Sequence, residues 1–145
     1  MEFKVKITSP DGKSIEFGDR KETSVIRVVD IKFDTVMKEK QLRKKSKDLQ
    51  ATVEIKGVIQ ADINQQMKEL SDWVRDFKVE STYRRLEVEV LDESAEGTQK
   101  MTYILDKMFA VHFDYENRSD EEEAVGMFHL SLMQNGDALS DVVVK

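Results

Sequence analysis

Apolar and polar positions alternate along most of the chain. Phe3, Val5 and Ile7 share one side of an extended segment and Lys4 and Lys6 the other, the period-two signature of a half-buried strand. Ser9-Pro10-Asp11-Gly12 follows. Proline presets its own φ and glycine accepts a positive one, so this tetrapeptide is a turn. Ile15 and Phe17 continue as the returning strand, and residues 2–17 read as a hairpin. In residues 24–34, Val29, Ile31 and Phe33 alternate with Asp30, Lys32 and Asp34. Residues 50–60 regain strand character through Val53, Ile55 and Ile59.

The period then changes. In DINQQMKELSDWVRDF, the residues Ile63, Met67, Leu70, Val74 and Phe77 are spaced by alternate fours and threes, which places them on one helical face. The pattern predicts a helix over about residues 62–78. Asp62 stands as N-cap, Gln65 at the capping-box position, and Trp73 borders the apolar stripe. Alternation resumes with Leu86, Val88 and Val90, and a loop of turn formers runs from Asp92 to Gly97. Met101, Tyr103 and Leu105 come next, then Phe109, Val111, Phe113 and Tyr115 aligned on one face, and finally Phe128, Leu130 and Leu132. Val142, Val143 and Val144 suit an extra edge strand or an arm. The expected fold is mainly β: an antiparallel β-barrel or sandwich of about seven or eight strands with one packed α-helix, forming a single domain over residues 1–145. The lone helix would plug an opening or cover an edge.

Composition narrows the function. The chain has 145 residues and no cysteine, which removes disulfide frameworks, zinc ribbons and thiol nucleophiles together. Charged residues make up 36% and the net charge is −6, a poor balance for a general partner of phosphate backbones. The opening MEFKVKITSPDGK lacks the apolar core of a signal peptide. No apolar run approaches the roughly 20 residues of a membrane helix. The expectation is a soluble cytoplasmic protein without signal peptide or membrane insertion.

Motifs of catalysis are missing. Neither His112 nor His129 lies in an HExxH, and there is no GxSxG elbow, GxGxxG or Walker loop. Both histidines read as surface or interface residues. Asp120–Glu123 lacks the spacing and glycine of a calcium loop. The expectation is therefore a non-enzyme with no catalytic, cofactor-binding or metal-ligating residues. What stands out is opposed charge. Residues 36–49 carry Lys38, Lys40, Arg43, Lys44, Lys45 and Lys47 against Glu39 and Asp48. Residues 114–123 carry Asp114, Glu116, Asp120, Glu121, Glu122 and Glu123 against Arg118. The basic stretch has no aromatic residue for base stacking, so no nucleic-acid specificity is expected. Loops of opposite sign on one barrel can meet when copies pack head to tail, and such heterologous contacts generate rings or filaments. The plain alternative is that both loops are solvated.

The order VVDIKFDTV, long charged loop, LQATVEIKGVIQADINQQMKELSDWV, RRLEVEVLD, YILDKMFAVHFDYEN and GMFHLSLM resembles the Hcp tube proteins of type VI secretion systems. It is similar also to the tail-tube proteins of contractile phages and phage-like injection systems. The likeness lies in element order and spacing across nearly the whole chain, without a short diagnostic motif. It implies a helix-flanked barrel that closes into hexameric rings, which stack head to tail as a hollow tube inside a contractile sheath. The implied partners are further copies of the chain and the sheath and baseplate proteins, with delivery outside the cell as part of a tube or particle. By position, the family's ring-to-ring loop corresponds to residues 36–49. The resemblance thus makes Lys38, Lys40, Arg43, Lys44, Lys45 and Lys47 candidates for inter-ring stacking. Glu116, Asp120, Glu121, Glu122 and Glu123 are the complementary acidic candidates. This chain is shorter than better-known Hcp chains and its loop more charged. The competing expectation is a monomeric binding barrel or tail adaptor, the former with an apolar cavity in its mouth. A hydrolase with an unrecognised site is a third.

Overall fold

The computed structural model describes residues 1–18, 25–35, 49–59, 63–94, 96–117, 126–135 and 142–145. Its elements are β1 (Glu2–Thr8), β2 (Ser14–Phe17), β3 (Ile26–Thr35), β4 (Leu49–Ile59), α1 (Asn64–Val74), α2 (Val79–Thr82), β5 (Arg84–Ser94), β6 (Gly97–Asn117), β7 (Gly126–Gln134) and β8 (Val142–Val144). All pairings are antiparallel, in the order β2-β1-β5-β6-β7-β4-β3, with β8 added to β6. The expected mainly-β architecture and strand number are what the chain forms.

The sheet curls. Phe17 on β2 and Phe128 on β7 are separated by three strands in the order, yet their rings stack at 5.9 Å. β1 and β3 also touch, although they lie near opposite ends of the order. Val5, Ile7, Val53, Ile55, Leu86, Val88, Leu105, Leu130 and Leu132 are at most 2% exposed and fill the concave side. Burying each such side chain contributes about 1.5–3 kcal/mol. Two glycines permit the close approaches. A Cβ on Gly57 would lie 2.5 Å from the Val25 carbonyl oxygen and 2.6 Å from the Phe128 ring. Gly18 has φ +85, and its Cβ would lie 2.3 Å from the Phe3 carbonyl oxygen.

α1 contacts both β6 and β2 and so spans the curl. Leu70 and Trp73 are its buried residues, with Met67 and Val74 partly buried against the same core. Trp73 is thus central to the packed face rather than at its border. The helix is shorter than the sequence predicts. Ile63 is at the N-cap position without a side-chain cap, Asp62 lies outside the described residues, and the Gln65 amide donates to Glu69 at 3.3 Å. At the other end the Asp76 N–H donates to the Trp73 carbonyl at 3.0 Å, and the chain turns away. The Asp76 carboxylate accepts from the Ser81 hydroxyl (2.6 Å) and the Lys78 N–H (3.0 Å), and these bonds, Ser81 first, hold it below the usual carboxylate range. Such local bonding competes with helix continuation. Phe77 is therefore off the stripe and 90% exposed. The short α2 returns the chain to Trp73, whose indole N–H donates to the Thr82 carbonyl at 2.7 Å while the Arg84 guanidinium lies 5.2 Å from its ring centre. Burial lowers the Arg84 pKa from its ordinary value.

β5 runs on to Ser94 and pairs there with Gly97, whose φ is +124, so most of the expected 92–97 loop belongs to a hairpin end. Among the described strands, β6 alone changes partner along its length, from β5 over Gly97–Met108 to β7 over Met108–Asn117. Leu105 and Met108 are both fully buried, with Lys107 between them at φ 55. That residue moves the inward face onto even positions. Phe109 then points away from the core and meets the Tyr83 ring edge-on at 5.9 Å, and Val111 is 48% exposed. A second register shift between Ala110 and His112 returns Phe113 to the core side. The expected alignment of Phe109, Val111, Phe113 and Tyr115 is broken for this reason. Gln134 ties the corner: it is 1% exposed and its amide donates to the Asp106 carbonyl at 3.0 Å.

On β3, Val29 and Ile31 are partly buried and Phe33 is 43% exposed, because this strand ends the sheet. The C-terminal valines form an extra strand, and Thr102 and Lys145 exchange backbone hydrogen bonds of 2.9 and 2.8 Å beyond it. Among the described residues no helix is long and apolar enough to cross a membrane.

Candidate functional site

The charged candidates are anchored by strand ends. Lys38, Lys40, Arg43, Lys44, Lys45 and Lys47 lie outside the described residues, as do Asp120, Glu121, Glu122 and Glu123. Glu116 is described, exposed, and opposite Met127 near the end of β6. The anchors themselves are informative. Residues 36–48 connect Thr35 to Leu49, which face each other at one end of the β3–β4 pair. Residues 118–125 connect Asn117 to Gly126, a pair adjoining Ile59 at the far end of β4. Eleven residues of β4 separate the two ends, roughly 33 Å of extended strand. The basic and acidic segments therefore leave the sheet at opposite ends.

On the convex face, a polar cluster bridges three strands. β7 alternates through its length, so Phe128, Leu130 and Leu132 point in and His129 and Ser131 point out. The register shift after Ala110 sends His112 and Asp114 of β6 to the same outer face. Asp114 pairs with His129 and His112 with Ser131, and on the other flank Glu54 of β4 pairs with Ser131. Asp114 Oδ2 lies 2.5 Å from His112 Nε2 and 4.0 Å from His129 Nδ1. His129 Nε2 is 3.4 Å from Ser131 Oγ and 3.9 Å from Glu54 Oε1. The two imidazole rings are 5.5 Å apart.

Ser131, His129 and Asp114 thus follow the order of a hydrolytic triad. Among the described residues the surroundings do not complete one. Ser131 is mid-strand with neighbours on both sides, so the local backbone N–H groups serve the sheet ladder rather than an oxyanion hole. The sequence reads both histidines as surface or interface residues and does not bring them together. The signal it lacks is the pairing register: alternation alone already turns His112, Asp114 and His129 away from the core, but only the β6–β7 register sets Asp114 opposite His129 and His112 opposite Ser131.

Two grooves border the helices. One of about 620 Å³ runs between the Ser9–Ser14 turn and Glu69, Asp72, Glu80 and Arg84. One of about 350 Å³ lies between α1, Ile59 and Tyr115. Both are flanked by charged side chains.

No family model matches the sequence, and no curated protein does. Solved structures do match. A crystal structure of an Hcp protein superposes with a TM-score of 0.57 at 9% identity, covering 99% of this chain and 97% of that one. A chain from the cryo-EM structure of the anti-feeding prophage baseplate gives 0.56 at 10% identity, with 99% and 92% covered. A chain from the sheath–tube complex of the PVC extracellular contractile injection system gives 0.54 at 13% identity, with 97% and 87% covered. The chain has an Hcp-like tube fold, as the order of its segments led one to expect.

Proposed function

We propose that this chain is a non-catalytic structural subunit of the inner tube of a contractile injection apparatus of phage-tail or type VI type, and that copies close into hexameric rings stacked head to tail. The observation that carries the reading is the end-to-end likeness to tube and baseplate chains, which leaves almost no part of this molecule over for another task. Two features of the molecule support it. The oppositely charged segments leave from opposite ends of the sheet, the placement head-to-tail stacking requires. β2 and β3 terminate the strand order, and a ten-residue terminal strand such as β3 invites pairing with another chain. Its sheath and baseplate partners follow from the same reading, as does export within a tube or particle. The binding-barrel alternative requires an apolar cavity in the mouth, whereas the concave side here is packed with Phe17, Ile55, Leu105, Met108 and Leu130.

The test is native mass and negative-stain microscopy of the purified chain across concentration and salt. Six-fold rings and stacked tubes are expected. The double variant Lys44→Glu, Lys45→Glu is expected to retain the fold and the rings but to stack poorly at low salt, where its charge reversal is least screened. A monomer throughout the series, up to the highest attainable concentration, overturns the ring reading. Rings whose stacking ignores the double variant overturn the assignment of the loop.

A further inference from the structure

We propose that His112, Asp114 and His129 form a surface site for a divalent transition-metal ion of the zinc class, bridging β6 and β7. This departs from the expectation of no metal-ligating residues, because the ligands come from two strands and only the β6–β7 register sets Asp114 opposite His129. One ligand atom from each residue lies within 4.8 Å of the others. A tetrahedral ion with bonds of about 2.0–2.2 Å keeps its ligand atoms roughly 3.4 Å apart. The separations of Asp114 Oδ2 from His112 Nε2 and His129 Nδ1, 2.5 and 4.0 Å, bracket that value. Rotation of an exposed imidazole closes the difference, since the side chains of His112 and Asp114 are 53% and 61% exposed.

The second independent feature is the far side of the His129 ring. With Nδ1 turned to the ion, Nε2 carries the proton and faces Glu54 Oε1 at 3.9 Å and Ser131 Oγ at 3.4 Å. A small rotation of the 46%-exposed Glu54 side chain brings its carboxylate into hydrogen-bond reach of Nε2, and a carboxylate so bonded behind a ligating histidine fixes its tautomer and raises its basicity, as outer partners at metal sites do. Two imidazoles and one carboxylate select zinc, nickel, cobalt or copper over magnesium and calcium, which require oxygen donors. Three protein ligands leave a fourth position to water. Lys56 stands opposite His129 on β4 and adds positive charge to this face, which keeps the site weaker than a closed four-ligand one. A bound ion would clamp β6 to β7 just beyond the bulge.

The test uses the intact chain, with Zn²⁺ titrated calorimetrically and Co²⁺ as an absorption probe of coordination. One Zn²⁺ per chain, a tetrahedral Co²⁺ spectrum, a rise in thermal midpoint with Zn²⁺ and indifference to Mg²⁺ are expected. His112→Ala and His129→Ala, which alter an exposed and a partly buried side chain and are checked by circular dichroism, should abolish binding and the thermal shift. Glu54→Gln should weaken binding roughly tenfold while leaving one site. Absence of Zn²⁺ uptake by the wild type overturns the proposal, as does uptake unchanged in His129→Ala. These outcomes do not depend on whether rings form.

Discussion

β6 and β7 lie side by side and share a ladder, but they solve the problem of facing a core differently. β7 keeps β4 and β6 as neighbours along its length, and its burial alternates from Gly126 to Gln134 without a break. β6 is more than twice as long, exchanges β5 for β7 midway, and changes phase twice. Hydrophobic alternation is a faithful guide only while a strand holds one surface against one core. Where a strand turns a corner, an extra residue resets which side chains point in. The first resetting misaligns Phe109 and Val111, and the second restores the original phase and keeps His112 and Asp114 on the outer face beside His129, so the polar cluster forms just past the irregular part of the strand.

The largest effect expected from this contrast comes from truncating one residue on each strand. Leu130 is 1% exposed and Val111 is 48% exposed. Leu130→Ala should cost about 3 kcal/mol, and Val111→Ala should stay within about 0.5 kcal/mol, both read from urea midpoints at unchanged slope. If β6 kept the simple alternation of its sequence, Val111 would face the core and its truncation would cost on the scale of a core residue.

The parts of the fold legible in the sequence follow the same division. The hairpin of β1 and β2, the inward faces of β4, β5 and β7, and the existence of the single long helix came directly from spacing, because local period and burial agree there. Apolar spacing puts Trp73 at the border of the stripe, because spacing alone cannot reveal that its indole N–H reaches Thr82 and that Arg84 covers its ring. The period continues through Phe77 and so draws it into the helix, while the hydrogen bonds of Asp76 that end the helix are invisible to periodicity. The charged segments were recognisable by composition, but their departure from opposite ends of the sheet is a property of register. The histidine cluster is out of reach because alternation tells which face His112, Asp114 and His129 take but not that β6 and β7 pair with Asp114 opposite His129.

An intermediate effect is expected where β7 meets the sheet ends. Gly57 pairs with Phe128 on one side and with Ile26 on the other, and a methyl group there would meet backbone oxygen and aromatic ring at once. Gly57→Ala should destabilise by about 2 kcal/mol through overpacking. The loss should appear in thermal unfolding, with a change in the near-ultraviolet signal as the Phe17–Phe128 stack shifts. A neutral outcome would mean that β3 is free to move away from β4 at this point, and that the curl is looser than the ring contact implies.

The smallest effect isolates the first phase change of β6. Lys107 holds φ 55, a left-handed conformation that costs a residue with a Cβ about 1–2 kcal/mol. Glycine adopts it without that cost but loses more chain entropy on folding, about 0.5–1 kcal/mol. Lys107→Gly should therefore be stabilising by up to about 1 kcal/mol. Lys107→Ala separates loss of the side chain from relief of the backbone, since alanine keeps the Cβ, and should show no gain. The matching substitution on the regular strand has the opposite sign. Met133 pairs with Phe109 across the ladder and is partly buried, and Met133→Gly should lose on the order of 1 kcal/mol or more because an interior strand glycine surrenders packing and entropy together. Opposite shifts in thermal midpoint for glycine at Lys107 and at Met133 would locate the corner of β6 at a single residue. Shifts of the same sign would mean that the phase change is spread along the strand and that Lys107 merely sits within it.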